Sequence, residues 1–171
     1  YGGAILNRLN VHLEDANSRK NVNSKEKQKI AQMAYDLIEP NMTVFLDIST
    51  TNIELAKLLV LSPISGITVV TNMLDVIQIL STSQIHSIFI GGEFDYARNG
   101  FVGNMCDEFL QRFHFDLSFL GVVGIDLESK SVMTYMPNDG QTKRIVLNQS
   151  KKAYMLADSD KFYQMGNYEY A

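Results

Sequence analysis

Thr43-Val44-Phe45-Leu46-Asp47-Ile48-Ser49-Thr50-Thr51-Asn52 decides the fold. Its first half is β-branched and apolar over a length suited to a strand buried on both faces. Three hydroxyl residues and an amide follow. Beyond them Ile53, Ala56, Leu59 and Val60 recur at helical spacing until Ser62-Pro63 breaks the run. The stretch is therefore a strand that turns directly into a helix.

Upstream, Ser24 opens a helix through Ile30, Ala31, Ala34, Leu37 and Ile38 that Pro40 ends, with Lys27 where a capping box would place Glu. Downstream the strand-helix pattern repeats. Ile67–Thr71, Ser87–Ile90, Leu117–Val122 and Ala153–Ala157 read as four more short strands. Helices are expected through Leu74–Leu80, Asn104–Phe113 and Gln141–Gln149, a loop over 93–102, and a hairpin around Ser131–Tyr135. Five apolar strands alternating with amphipathic helices predict an α/β domain, doubly wound on a mostly parallel sheet. Residues 1–23, mixed and rich in Asn, Ser and Arg, read as a linker arm, and 24–171 as the domain.

Composition narrows the function. A chain of 171 residues with 46% hydrophobic and 20% charged residues can build one full core. The net charge of −4 argues against strong nucleic-acid binding by this chain alone. One cysteine, Cys106, excludes an intrachain disulfide and a cysteine-rich metal site; a buried thiol is its plainer reading. His12, His86 and His114 lack metal-ligand spacing, and neither a cofactor nor a metal is expected. With no secretory signal pattern and no membrane-length apolar run, the expected location is cytoplasmic. The start at Tyr1, without an initiator methionine, reads as a fragment of a longer chain. Tyr154, Met155, Phe162, Tyr163, Met165, Tyr168 and Tyr170 are too apolar for a solvated tail, and either pack on the domain or form an oligomer interface.

In open parallel sheets ligands bind beyond the carboxyl ends of the strands. The turn Asp47–Asn52 lies there, and its hydroxyls with the free N–H groups of a helix start would cradle a phosphate. The same residue types cap helices for local reasons, so spacing leaves both readings open. No Walker or dinucleotide glycine pattern supports a nucleotide. Gly91-Gly92 and Gly103 suit a close backbone approach or a tight turn. Asp126 suits sugar hydroxyls, a base or a solvated loop; Lys143 suits an anion or plain surface; Asp158-Ser159-Asp160-Lys161 suits a final cap.

Taken in order, these motifs resemble one family. Tyr1-Gly2-Gly3-Ala4, Lys29-Ile30-Ala31 with Ala34, Asp47-Ile48-Ser49-Thr50-Thr51, Val69-Val70-Thr71-Asn72, Gly91-Gly92, Gly103, Phe115-Asp116, Gly121 with Gly124-Ile125-Asp126, and Leu156–Phe162 are similar to the C-terminal sensor domain of DeoR-type transcriptional repressors. The resemblance implies a ribose-5-phosphate isomerase/glucosamine-6-phosphate deaminase-like fold. It also implies a phosphorylated-sugar effector, operator DNA bound through a winged helix-turn-helix ahead of this chain, and a homo-oligomer, dimer or tetramer, with no membrane partner. It places the effector phosphate on Ser49, Thr50, Thr51 and Lys143, and the sugar near Asp47, Asn72, Gly92, Gly103 and Asp126, with Lys161 a weaker candidate. Two departures stand out: Ser49 replaces the family's usual glycine, and Asn138-Asp139-Gly140 replaces its acidic stretch before the lysine. The shared fold leaves a sugar-phosphate isomerase or deaminase as the alternative, but turnover needs a base with a companion acid or lysine. Only Asp126 offers itself, so no enzyme activity is expected.

Overall fold

The computed structural model describes residues 9–10 and 16–171; the Tyr1–Ala4 motif and most of the expected arm lie outside them. In chain order the first elements are β1 (Leu9–Asn10), α1 (Ala16–Arg19), α2 (Ser24–Tyr35), β2 (Thr43–Leu46), α3 (Thr50–Leu61) and β3 (Thr68–Thr71). They continue as α4 (Leu74–Leu80), β4 (His86–Phe89), β5 (Glu93–Asp95), β6 (Gly100–Val102), α5 (Asn104–Leu110) and β7 (Phe115–Gly121). The last are β8 (Gly124–Asp126), β9 (Ser131–Thr134), α6 (Pro137–Asn148), β10 (Ser150–Leu156), a 3-10 turn over Ser159–Tyr163, β11 (Gln164–Met165) and β12 (Tyr168–Glu169).

The five apolar runs form one parallel sheet in the order β10-β7-β2-β3-β4. The alternation of side chains along each strand divides the core in two. Val44, Leu46, Val69, Leu117 and Phe119 pack with Ala31 and Ala34 of α2, Leu55, Ala56 and Leu59 of α3, and Val76 and Leu80 of α4. Phe45, Val70 and Leu120 face the other way, onto Cys106 and Leu110 of α5, Ile145 and Val146 of α6, and Tyr170. Helices on both faces explain why the strands read as unbroken apolar runs. The chain builds outward from β2 through β3 and β4, then crosses to β7 and β10, so the switch point lies between β2 and β7.

Three local expectations change. Residues 93–102 are not a loop: β5 and β6 form an antiparallel hairpin, held by the rings of Phe94 and Phe101 at 5.0 Å and of Phe89 and Phe101 at 5.3 Å. α6 begins at Pro137 rather than Gln141, because proline is well suited to a first helical turn and Asp139 and Gly140 are buried by tertiary contacts. The Tyr- and Met-rich end packs on the domain through β12, which pairs antiparallel with β9 and buries Tyr170. Among the described residues no helix is long and apolar enough to cross a membrane.

Cys106 is fully buried on α5, and burial, aided by the charge of Asp107, pushes its thiol up to about 12. Thiolate is the reactive form. Native protein at pH 8 should therefore leave Ellman's reagent unreacted, whereas guanidinium-unfolded protein should release one equivalent; equal rates in the two states would contradict this burial.

Candidate functional site

The turn at the carboxyl end of β2 is held by backbone and amide contacts before any charged group enters. Asn52, wholly buried on α3, donates from Nδ2 to the carbonyls of Asp47 and Phe119, both at 2.9 Å, and so ties the turn to β7. Ser49 sits in extended backbone as the N-cap of α3, and its hydroxyl accepts from Thr51 N–H at 3.2 Å. The end of β7 lies close by: a Cβ on Gly121 would meet Ile48 O and Ser49 Cβ at 2.9 Å, so only glycine passes this point undisturbed.

Beneath the turn lies a buried ion cluster. Lys143, projecting from α6, bonds Asp47 Oδ2 and stands 3.3 Å from Asp139 Oδ2, one helical turn away on its own helix. Asp47 Oδ2 also accepts the Gly121 N–H at 2.9 Å, and Asp139 accepts the Thr134 hydroxyl. All three charged side chains are at most 3% exposed. Burial disfavours the Lys143 charge, but attraction to Asp139 and Asp47 outweighs it, leaving the ammonium above its ordinary range. Burial lifts Asp139 above the usual carboxylate range against the pull of Lys143. Asp47 Oδ1 is buried with no hydrogen-bond partner among the described residues.

Above the cluster opens a cavity continuous with solvent. Ser49, Thr50, Thr51 and Lys143 line it, and Asp47 supports it from behind through Lys143. Arg19, Lys27, Arg98 and Lys161 add four further cations against Asp139, Asp158 and Asp160. No hydrogen bond to the described residues engages the Thr50 N–H or the Thr50 and Thr51 hydroxyls. Arg98 stacks its guanidinium 3.8 Å from the centre of the Tyr135 ring, another lining residue.

The remaining sequence candidates lie elsewhere. Asn72 is buried and donates to Phe101 O at 2.8 Å, joining β3 to β6. Gly92 packs near Val102 O and Cys106, where a Cβ would stand 2.7 Å from that oxygen. Gly103 caps α5 with φ +89, a conformation that favours glycine. Asp126 accepts from Glu128 N–H at 2.9 Å and shapes the β8–β9 turn. None of the four lines the cavity. Asp158 caps the 3-10 turn through Asp160 N–H and also lines the cavity. Sequence reasoning missed Arg19, Lys27, Arg98 and Asp139. The i, i+4 spacing of Asp139 and Lys143 was the one local sign. Among the described residues no His, Cys, Asp and Glu group could hold a metal.

Removing one partner of a buried ion cluster leaves a charge uncompensated in low dielectric. Lys143→Met should cost about 3–5 kcal/mol in urea unfolding, the range for breaking a buried pair. Asp139→Asn should cost less, since Lys143 keeps Asp47. Equal losses would show that the cluster does not act through charge balance.

This geometry can be set against known proteins. Residues 22–171 match the model of the DeoR C terminal sensor domain. The L-fucose operon activator of Haemophilus influenzae is 32% identical over 163 residues, covering 95% of this chain and 64% of that protein. The HTH-type transcriptional repressor GlcR of Bacillus subtilis is 32% identical over 171 residues, covering 99% and 64%. This chain thus spans just under two thirds of such relatives. Ribose 5-phosphate isomerase A of Methanocaldococcus jannaschii superposes with a TM-score of 0.57 at 16% identity, over 82% of this chain and 55% of that one, a likeness of fold. With its matched family model and its parallel sheet, the chain belongs to the DeoR C-terminal sensor domain family.

Proposed function

We propose that the cavity above Lys143 binds a phosphorylated sugar, and that its occupancy controls operator binding by the longer protein to which this domain belongs. The observation that carries the reading is the N-terminus of α3 opening, with uncommitted Thr50 and Thr51 hydroxyls, into a cavity that four cations line besides Lys143. The unengaged Thr50 N–H and the helix dipole favour an anion there by about 0.3–1 kcal/mol.

In this reading Ser49, Thr50 and Thr51 take the phosphate from the helix end. The Ser49 hydroxyl oxygen accepts from Thr51 N–H, and so holds the turn in shape while leaving the two threonine hydroxyls to the ligand. Lys143 contributes positive potential from below, tuned by Asp47 and Asp139. Tyr135, Val122 and Val123 form the wall for the sugar. The role is regulatory: the similar proteins carry the names of operon regulators, and the two carboxylates beside Lys143 are bound into its ion cluster. In this reading DNA contact belongs to a segment ahead of this domain, which its net charge of −4 and its likeness to the HTH-type transcriptional repressor GlcR support. A cytoplasmic, homo-oligomeric regulator completes the reading.

The test is a thermal-shift screen of this chain against ribose 5-phosphate, glucosamine 6-phosphate, fructose 6-phosphate and glycerol 3-phosphate. A ligand at 100 times its Kd adds about 2.7 kcal/mol. That corresponds to roughly 5–11 °C for a domain of this size. The double substitution Thr50→Ala with Thr51→Ala should abolish the shift and leave the unliganded Tm within a few degrees. A full shift in that variant would place the phosphate elsewhere, and a flat response to every sugar phosphate would refute the reading.

A further inference from the structure

The segment Ala16–Asn23 lies mostly ahead of residue 22, where the family match begins, yet it reaches the cavity. Arg19, Val22 and Asn23 are all part of the cavity wall. We propose that this segment is a working part of the effector site, in which Arg19 contacts the anionic effector and occupancy clamps the segment onto the domain. The proposal rests on the effector-site reading given above.

The way the segment is fastened supports it. Ala16 is buried and its N–H donates to Ala97 O at 2.8 Å, beside the cavity residue Arg98. Lys20 pairs with Asp75 at 2.7 Å, and Asp75 also accepts from Asn99 at 2.7 Å. Asn23, in left-handed backbone, donates to Asp160 at 2.7 Å and to Asp158 at 3.3 Å, both cavity residues. Lys27, buried on α2 and lining the cavity, gives its ammonium to the Arg19 carbonyl. Upstream, Leu9 and Asn10 pair in parallel with Gln164 and Met165, and Gln164 again lines the cavity.

Apart from the Lys20–Asp75 pair, these attachments end on a cavity residue or beside one, and most are single hydrogen bonds or ion pairs near solvent. Such contacts are individually weak, so the segment belongs to the readily opened part of the molecule. Arg19 differs from Lys143 in a way that matters. Lys143 is buried between two carboxylates, whereas Arg19 is only half-buried and comes from a segment outside the sheet. A guanidinium offers a planar fork that fits a phosphate or carboxylate with two hydrogen bonds. A ligand that engages both the α3 start and Arg19 favours the fastened state by its differential affinity, and can do so by no other route. Whatever the chain carries before residue 16 is then coupled to the cavity by covalent continuity.

The experiment uses this chain and whichever of the four sugar phosphates gives the largest thermal shift. Amide hydrogen exchange over Ala16–Asn23 should slow on saturation, with little change over β3 and β4, which lie away from the cavity. Arg19→Ala should weaken binding by about tenfold or more, the loss expected for a charge-assisted contact, and leave the protein folded with its unliganded Tm within a few degrees. Arg19→Lys should recover part of the affinity. Binding that depends on Thr50 and Thr51, with unaltered exchange over Ala16–Asn23 and wild-type affinity in Arg19→Ala, would overturn the proposal and leave the effector site standing. No binding by any of the four would overturn both.

Discussion

Lys143 between Asp47 and Asp139 is the constraint on which the site depends. The lysine comes from α6, on one face of the sheet, while Asp47 ends the central strand. Burying three charges costs several kcal/mol each and is repaid only when geometry and hydrogen bonds are nearly complete. Here the Gly121 N–H and the Thr134 hydroxyl each engage one carboxylate oxygen, while Asp47 Oδ1 has no partner among the described residues, and the cluster ties β2, β7, β9 and α6 into one arrangement. With that arrangement fixed, the hydroxyls of the α3 start face open space rather than packed side chains. The floor of the cavity follows from the cluster.

The rim has different physics. Arg19, Lys161 and Asp160 are partly or largely exposed; Arg19 precedes the first strand of the main sheet and the other two lie on the short 3-10 turn after β10, whereas Thr50 begins a helix packed on the core. A rigid floor with a weakly held rim is what a sensor requires. In the proposed reading the floor would fix the anion geometry, and occupancy would act on the more weakly held rim.

The likeness to ribose 5-phosphate isomerase extends to the sheet and not to chemistry, since one fold supports many functions. A catalytic base must meet its substrate carbon with a suitably tuned proton affinity. In this chain Asp47 has no exposed surface, and both carboxylates near the lysine are spent on charge balance. Buried ion clusters are also an expensive way to gain stability, which is consistent with the cluster serving to position the turn.

Sequence by itself determined the five strands, the helices between them and the hydroxyl-rich turn at Ser49–Thr51 beyond the end of the central strand. Those features follow from side-chain periodicity and from turn chemistry, which are local in the chain. Tertiary structure alone decided which cations surround the turn, because Arg19, Lys27, Arg98 and Lys161 belong to four separate segments. It also decided that Asn72, Gly92, Gly103 and Asp126 serve packing and turns away from the cavity. A motif names residue types in order, but whether a polar group meets a ligand or a neighbouring backbone depends on contacts distant in sequence. Asp139 shows the difference most plainly. In the sequence it stood only within a stretch that departs from the family pattern; its burial beside Lys143, and that lysine's reach to Asp47, make it part of the charge balance beneath the cavity.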